Sequence, residues 1–230
     1  MLELEALTSG YGESLVVREI SMKVPKGSLV AVMGSNGVGK TTVMKTILGL
    51  IKPASGKIIW NGEDITKLPS YERARRGIGY VPQGRDIFPF LTVQQNLILG
   101  IEARGKKPGQ VAEHMYELFP ALAKIRKRRG GDLSGGQQQI LALARIMATE
   151  PQLMILDEPT EGIQPSIVKE IEDAIGSIRL QGVSVLLVEQ FVDFALSHAD
   201  SYYLMEHGGI AREGKVDASS RKKIAASITI

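Results

Sequence analysis

The chain has 230 residues, a formal net charge of +3 and no cysteine. At this length one large α/β domain, or one domain with an inserted arm, buries an ample core without covalent staples. The missing thiols exclude disulfides and thiolate metal sites, the scattered His114, His198 and His207 lack metal-ligand spacing, and the mild basicity does not argue for nucleic acid. No run approaches the roughly 18 apolar residues of a membrane span. The first five residues lack a basic region followed by an apolar stretch, so a cytoplasmic protein is expected.

In chain order, residues 2–6 and 20–24 pattern as strands. Residues 28–33 form a short apolar run that ends at Gly34, a buried strand feeding a loop. Residues 40–50 predict a helix, closed by Gly49 and Pro53. Residues 57–60, an Asn61-Gly62 turn and residues 78–81 add strand signals. The pattern then changes, because residues 93–123 and 134–149 read as helical. Val111, Met115 and Leu118 recur at i, i+4 and i+7, the stripe that core packing requires. Residues 124–129 (Lys-Ile-Arg-Lys-Arg-Arg) are the densest basic run, read as a solvated face, with a phospholipid or partner contact as the second reading. Strand 153–156, helix 167–178, strand 183–188, helix 191–197 and strand 202–205 complete the chain. Strand–helix alternation at both ends with helices between them predicts an α/β core with a helical insertion.

Gly34-Ser35-Asn36-Gly37-Val38-Gly39-Lys40-Thr41 follows a predicted strand and opens a predicted helix, the context a phosphate loop needs. Glycines let the backbone curl so that its N–H groups point at phosphate oxygens, and the helix start adds partial positive charge. Lys40 would reach the β- and γ-phosphates of ATP, Thr41 could ligate Mg²⁺ through its hydroxyl, and Thr42 could touch the α-phosphate. The apolar strand 153–156 ends in Asp157-Glu158. Asp157 is placed to hold Mg²⁺, and Glu158 is the candidate general base for an attacking water. Leu133-Ser134-Gly135-Gly136-Gln137 precedes a second predicted helix, so Ser134 and the following amides would form a second anion site while Ser134 also caps that helix. One nucleotide needs one such loop, so the second implies a nucleotide held by another subunit.

With these motifs in hand, the sequence resembles the ATP-binding cassette (ABC) family over essentially its whole length. Tyr11 matches the aromatic that stacks on adenine, Gln83 in Tyr80-Val81-Pro82-Gln83 matches the glutamine that senses Mg²⁺ and the attacking water, and residues 133–137 match the family signature. The resemblance implies a P-loop NTPase core with a mostly parallel sheet, an N-terminal antiparallel β subdomain and an α-helical subdomain inserted at about 91–147, all within one ABC ATPase domain spanning 1–230. It also implies ATP and Mg²⁺ bound in a head-to-tail sandwich, each ATP lying between one phosphate loop and the partner's signature. Two membrane permease subunits, and indirectly a periplasmic solute-binding protein, would complete an importer at the cytoplasmic face of the inner membrane. The isolated chain would be soluble and would bind no nucleic acid.

Two positions depart from the family pattern. Gln190 stands where a histidine is usual, and Gln164 where an aspartate is usual. Glutamine can donate to the γ-phosphate but carries no proton or positive charge, so a heterodimer with a histidine-bearing cassette is expected. His198 is expected to be a surface residue that does not substitute. Residues 158–166 and 188–190 resemble the branched-chain amino acid and amide importer branch. Val38, Gln83 and residues 77–89 and 128–139 are similar to its urea importers, and the amino-acid branch is the alternative. A soluble ABC ATPase acting on DNA or ribosomes, a P-loop kinase and a regulatory subunit without turnover are competing readings. The segment 84–90 is expected to dock on a membrane subunit.

Overall fold

A computed structural model describes residues 1–102, 105, 108–217 and 224. The chain divides into two compact units, one made of residues 1–78 and 184–230, the other of residues 79–183.

The first unit begins with an antiparallel sheet. β1 (Leu2–Tyr11) lies between β2 (Ser14–Val24) and β4 (Ser55–Trp60), and β4 turns through Asn61 and Gly62 into β5 (Glu63–Asp64). Asn61 and Gly62 both have positive φ, as a tight two-residue hairpin requires. A parallel layer is centred on β3 (Leu29–Met33), whose five residues are all buried. It pairs with β8 (Ser184–Glu189) on one side and β9 (Ser201–Glu206) on the other, and β10 (Gly209–Lys215) runs antiparallel to β9. β3 throughout and β8 from Val185 to Val188 are unbroken apolar runs because parallel strands are covered on both faces. Three side chains register this layer: Asp200 accepts the amide of Leu29, Ser184 that of Gly27 and Tyr203 that of Lys23.

The phosphate loop leaves β3 and enters α1 (Lys40–Ile47). The far end of α1 is held by Arg73, from α2 (Ser70–Arg75), which is 2% exposed. Its guanidinium donates to the carbonyls of Thr46, Ile47, Thr66 and Leu68 at 2.7–2.9 Å. Terminal helix carbonyls lack intrahelical partners, and a cation there complements the dipole. Burial pulls the Arg73 guanidinium below its ordinary value, with Asp64 opposing that shift. The Thr46 hydroxyl donates to the Thr42 carbonyl, so the Ser9 hydroxyl, 2.8 Å away, must donate to Thr46. This chain of bonds ties α1 to β1. α8 (Val192–His198) packs on β3 and β8.

The second unit holds β6 (Ile78–Val81) beside β7 (Leu153–Asp157), with α3 (Val93–Glu102), α4 (Pro108–Leu118), α5 (Pro120–Ala123), α6 (Gly135–Met147) and α7 (Pro165–Leu180). α3 packs on α4 and α6, and α6 on α7. Fully buried Asn96 pins the segment after β6: it accepts from the Phe88 amide and donates to the carbonyls of Phe88, Leu91 and Thr92.

Several expectations change. The helical stretch 93–123 resolves into three helices, with Gly105 at φ 68 between the first two and Pro120 opening the third. Met115 is buried as its stripe requires, whereas the side chain of Val111 lies outside those described. α2, β5 and β10 carry no apolar periodicity and had no sequence signal. His198 is not a surface residue. It is half-buried, its ring edge-on to that of Phe194 one turn earlier, at 5.3 Å. The cations of 124–129 are exposed, as a solvated face demands, and the main-chain carbonyls of Arg126 and Arg128 close the start of α3.

Candidate functional site

The first unit carries the phosphate loop. Gly34, Ser35, Asn36, Gly37 and Val38 form the turn between β3 and α1, and Gly39 is the residue that precedes the helix, at φ 107 with no side-chain cap. A Cβ on Gly39 would stand 2.6 Å from a methyl of Val17, so only glycine allows both this dihedral and this approach. Lys40 is 5% exposed, and its ammonium donates to the carbonyls of Gly34 at 2.8 Å and Ser35 at 3.1 Å. The loop therefore holds a cation over itself at a helix start that has no acid in its first turn. Thr42 is buried and Thr41 half-buried. Tyr11 closes β1 and is 51% exposed. Gln190 follows β8, and its backbone amide donates to the buried Glu189 carboxylate at 3.2 Å.

The second unit carries the acidic pair and the signature. Asp157 ends β7 and is 2% exposed, while Glu158 is 8% exposed and has φ 46. Left-handed backbone in a residue with a β-carbon costs energy and gathers at functional sites. β6 and the residues just after it reach both carboxylates. The Tyr80 hydroxyl donates to Asp157 Oδ2 at 3.1 Å. Gln83 Nε2 donates to Glu161 at 2.6 Å and to Glu158 at 3.3 Å. Burial, reinforced by the Asp157 charge, raises the Tyr80 hydroxyl well above its ordinary value, so it stays a donor at neutral pH.

Ser134 precedes α6 in a capping box: its hydroxyl accepts the Gln137 amide, and the Gln137 side chain accepts the Ser134 amide. Leu133 is buried and anchors this start. Gly136 lets α7 approach, since a Cβ there would lie 2.1 Å from a methyl of Ile167. A Cβ on Gly135 would meet the Arg85 guanidinium at 3.2 Å, and Arg85 reaches Gln138 at 3.4 Å.

The structure thus brings Gln83 to Glu158, joins Ser134 to Gln137, and folds Lys40 onto Gly34 and Ser35. Tyr80 and Glu161 were given no individual role from sequence, and Arg85 entered only as part of the docking segment 84–90. Tyr80 and Arg85 flank Gln83 within one short segment, which was the available signal.

Residues 17–161 match the family model described as "ABC transporter". The chain is 40% identical over 211 residues, 91% of each chain, to the high-affinity branched-chain amino acid transport ATP-binding protein BraG of Pseudomonas aeruginosa. It is 37% identical to the probable branched-chain amino acid transport ATP-binding protein LivF of Archaeoglobus fulgidus, covering 93% of this chain and 92% of that one. Among solved structures, the ADP conformation of MJ1267, an ATP-binding cassette of an ABC transporter, superposes with a TM-score of 0.85 at 26% identity. That match covers 98% of this chain and 94% of the other.

Proposed function

The chain belongs to the ABC transporter family as an ATP-binding cassette that hydrolyses ATP, and from that premise we propose that it drives an importer as one of two unlike cassettes beneath two membrane permease subunits. The two units act as a single cassette domain. No helix among the described residues is long and apolar enough to cross a membrane, which suits a subunit bound peripherally at the cytoplasmic face. Exposed Phe88 and Phe90, the latter 84% exposed, give the segment 84–90 an apolar surface for a permease.

In this reading the loop from Gly34 to Gly39 cradles the phosphates, Lys40 neutralises the β- and γ-phosphates, and Tyr11 stacks on adenine. Thr41, Gln83 and Asp157 are hard oxygen donors, a set that fits Mg²⁺ with the nucleotide and water supplying the other ligands. Bound Mg²⁺ would offset phosphate charge. Glu158 orients and polarises the attacking water, Gln83 reports on that water and the cation, and Gln190 donates to the γ-phosphate. Ser134, Gly135, Gly136 and Gln137 close over the partner's ATP.

The observation that carries the proposal is the second glycine-rich helix start. A phosphate loop serves any nucleotide enzyme, whereas a second glycine-rich helix start, beyond capping its own helix, is accounted for by a nucleotide held on a partner. Gln190, in a chain that keeps Glu158, supports a partner of different sequence. The test is ATP-dependent assembly of the chain alone and with a histidine-bearing companion. Assembly and full turnover are expected only in the mixture, and full turnover by the chain alone would refute the unlike partner.

Branched-chain amino acids are the cargo class that BraG and LivF support by name. Urea is the second reading, resting on Val38 and Gln83. With its membrane and solute-binding subunits in proteoliposomes, the chain should drive leucine uptake, and uptake of urea without leucine would reverse that order.

A further inference from the structure

Asp157 and Glu158 are adjacent in sequence yet answer to different donors on one neighbouring segment: Tyr80 bonds Asp157, and Gln83 bonds Glu158. The second torsion of an aspartate is broad, so burial alone does not decide how its carboxylate plane is turned. A hydroxyl fixed on the adjacent strand gives one carboxylate oxygen a defined direction. Hydrogen-bonded partners of metal-ligating carboxylates set ligand orientation, and their loss typically costs 10- to 100-fold in metal affinity.

We propose that Tyr80 is a positioning residue for the divalent cation that accompanies the nucleotide: its hydroxyl sets the rotation of the Asp157 carboxylate and, through it, the affinity for Mg²⁺. This rests on the reading of Asp157 as a cation ligand. Gln83 serves the candidate base by a separate bond, so cation affinity and water activation are adjusted by two side chains three residues apart on the same segment. Phenylalanine keeps the Tyr80 ring and deletes only the donor.

The test is ATP binding to the full chain, titrated with Mg²⁺ and repeated with Mn²⁺ followed by electron paramagnetic resonance. Metal-free ATP affinity in chelator serves as the control for fold. Tyr80→Phe should raise the Mg²⁺ and Mn²⁺ concentrations needed for half-maximal effect by about 10-fold, with metal-free ATP affinity within twofold. In an Asp157→Ala background, Tyr80→Phe should shift the metal requirement no further. An unchanged metal requirement in Tyr80→Phe would overturn the proposal. So would an equal shift in the Asp157→Ala background, or a parallel loss of metal-free affinity. If the unsubstituted chain binds ATP with no metal dependence, the cation-site reading itself falls and takes this proposal with it. That result is visible before any variant is compared.

Discussion

Two glycine-rich segments, one in each unit, open a helix, and they satisfy its first turn in opposite ways. α1 begins after Gly39 with no side-chain cap and with the Lys40 ammonium lying over the loop. α6 begins after Ser134 with a closed capping box in which Ser134 and Gln137 serve each other. The first amides of any helix lack intrahelical acceptors. α1 offers that deficit and a cation to an anion, and α6 has already answered part of it from within. A phosphate arriving at α6 competes with the box, so α6 is suited to close on a nucleotide already held elsewhere. α1 is suited to be the holder. The difference follows from one residue: glycine in one case and serine in the other, at the position before the helix.

The widest separation between the units should appear in turnover. Glu158→Gln is expected to lower the hydrolysis rate by about 10²- to 10⁴-fold, the usual loss for a missing general base. ATP affinity should be retained and an ATP-bound assembly should accumulate on size-exclusion chromatography. Normal turnover would remove Glu158 from the chemistry. Lys40→Ala should weaken ATP binding to the isolated chain roughly 10- to 100-fold, the worth of a charge-assisted contact, measured by calorimetry. Unchanged affinity would refute the holder. Ser134→Ala should leave that same affinity within twofold while removing about 1 kcal/mol of stability through the lost cap. Hydrolysis by the assembled pair should fall with it. If Ser134→Ala weakens ATP binding to the isolated chain as much as Lys40→Ala does, the contrast between the two helix starts is broken.

The smallest effect belongs to a control that lies on neither start. The Asp64 carboxylate accepts the hydroxyl and the amide of Thr66, which hold it below its ordinary 3.8. A lowered folded value contributes stability above the unfolded value and loses it as pH falls through the folded one. Asp64→Asn should therefore lower Tm by about 1–2 °C at neutral pH. The difference should close as pH falls below 3.8, while nucleotide affinity is unchanged throughout. A coupled loss of nucleotide affinity would show that the β5 turn is not independent of α1.

Legibility followed burial. β3, β7 and β8 are mostly apolar strands that end at Met33, Asp157 and Glu189, and each hands the chain to a candidate site residue. They were readable because strands covered on both faces tolerate little polarity. β10 and α2 are polar and mostly exposed, so nothing in their side chains announces them. β10 exists because β9 presents a backbone edge, and in α2 Arg73 alone is buried, a long cation that has no apolar periodicity to betray it. Residues 93–123 were legible as helical, but the local breaks at Gly105 and Pro120, which divide them into three helices, were not.

By itself the sequence determined the chemistry on offer: a phosphate loop from Gly34 to Thr41, the Asp157–Glu158 pair, a second helix start at Ser134 and a glutamine at position 190. These are short segments whose residue types and spacing are sufficient, because each works through its own backbone turn or strand end. Only the tertiary structure decided which side chains meet. Tyr80 and Asp157 are 77 residues apart, and their hydrogen bond depends on the register of two strands. Arg73 reaches the end of α1 from a helix that begins 30 residues after Lys40. Gln83 is shared between Glu158 and Glu161 only because a turn folds one beside the other. Such contacts are set by packing and register, and no local pattern encodes them.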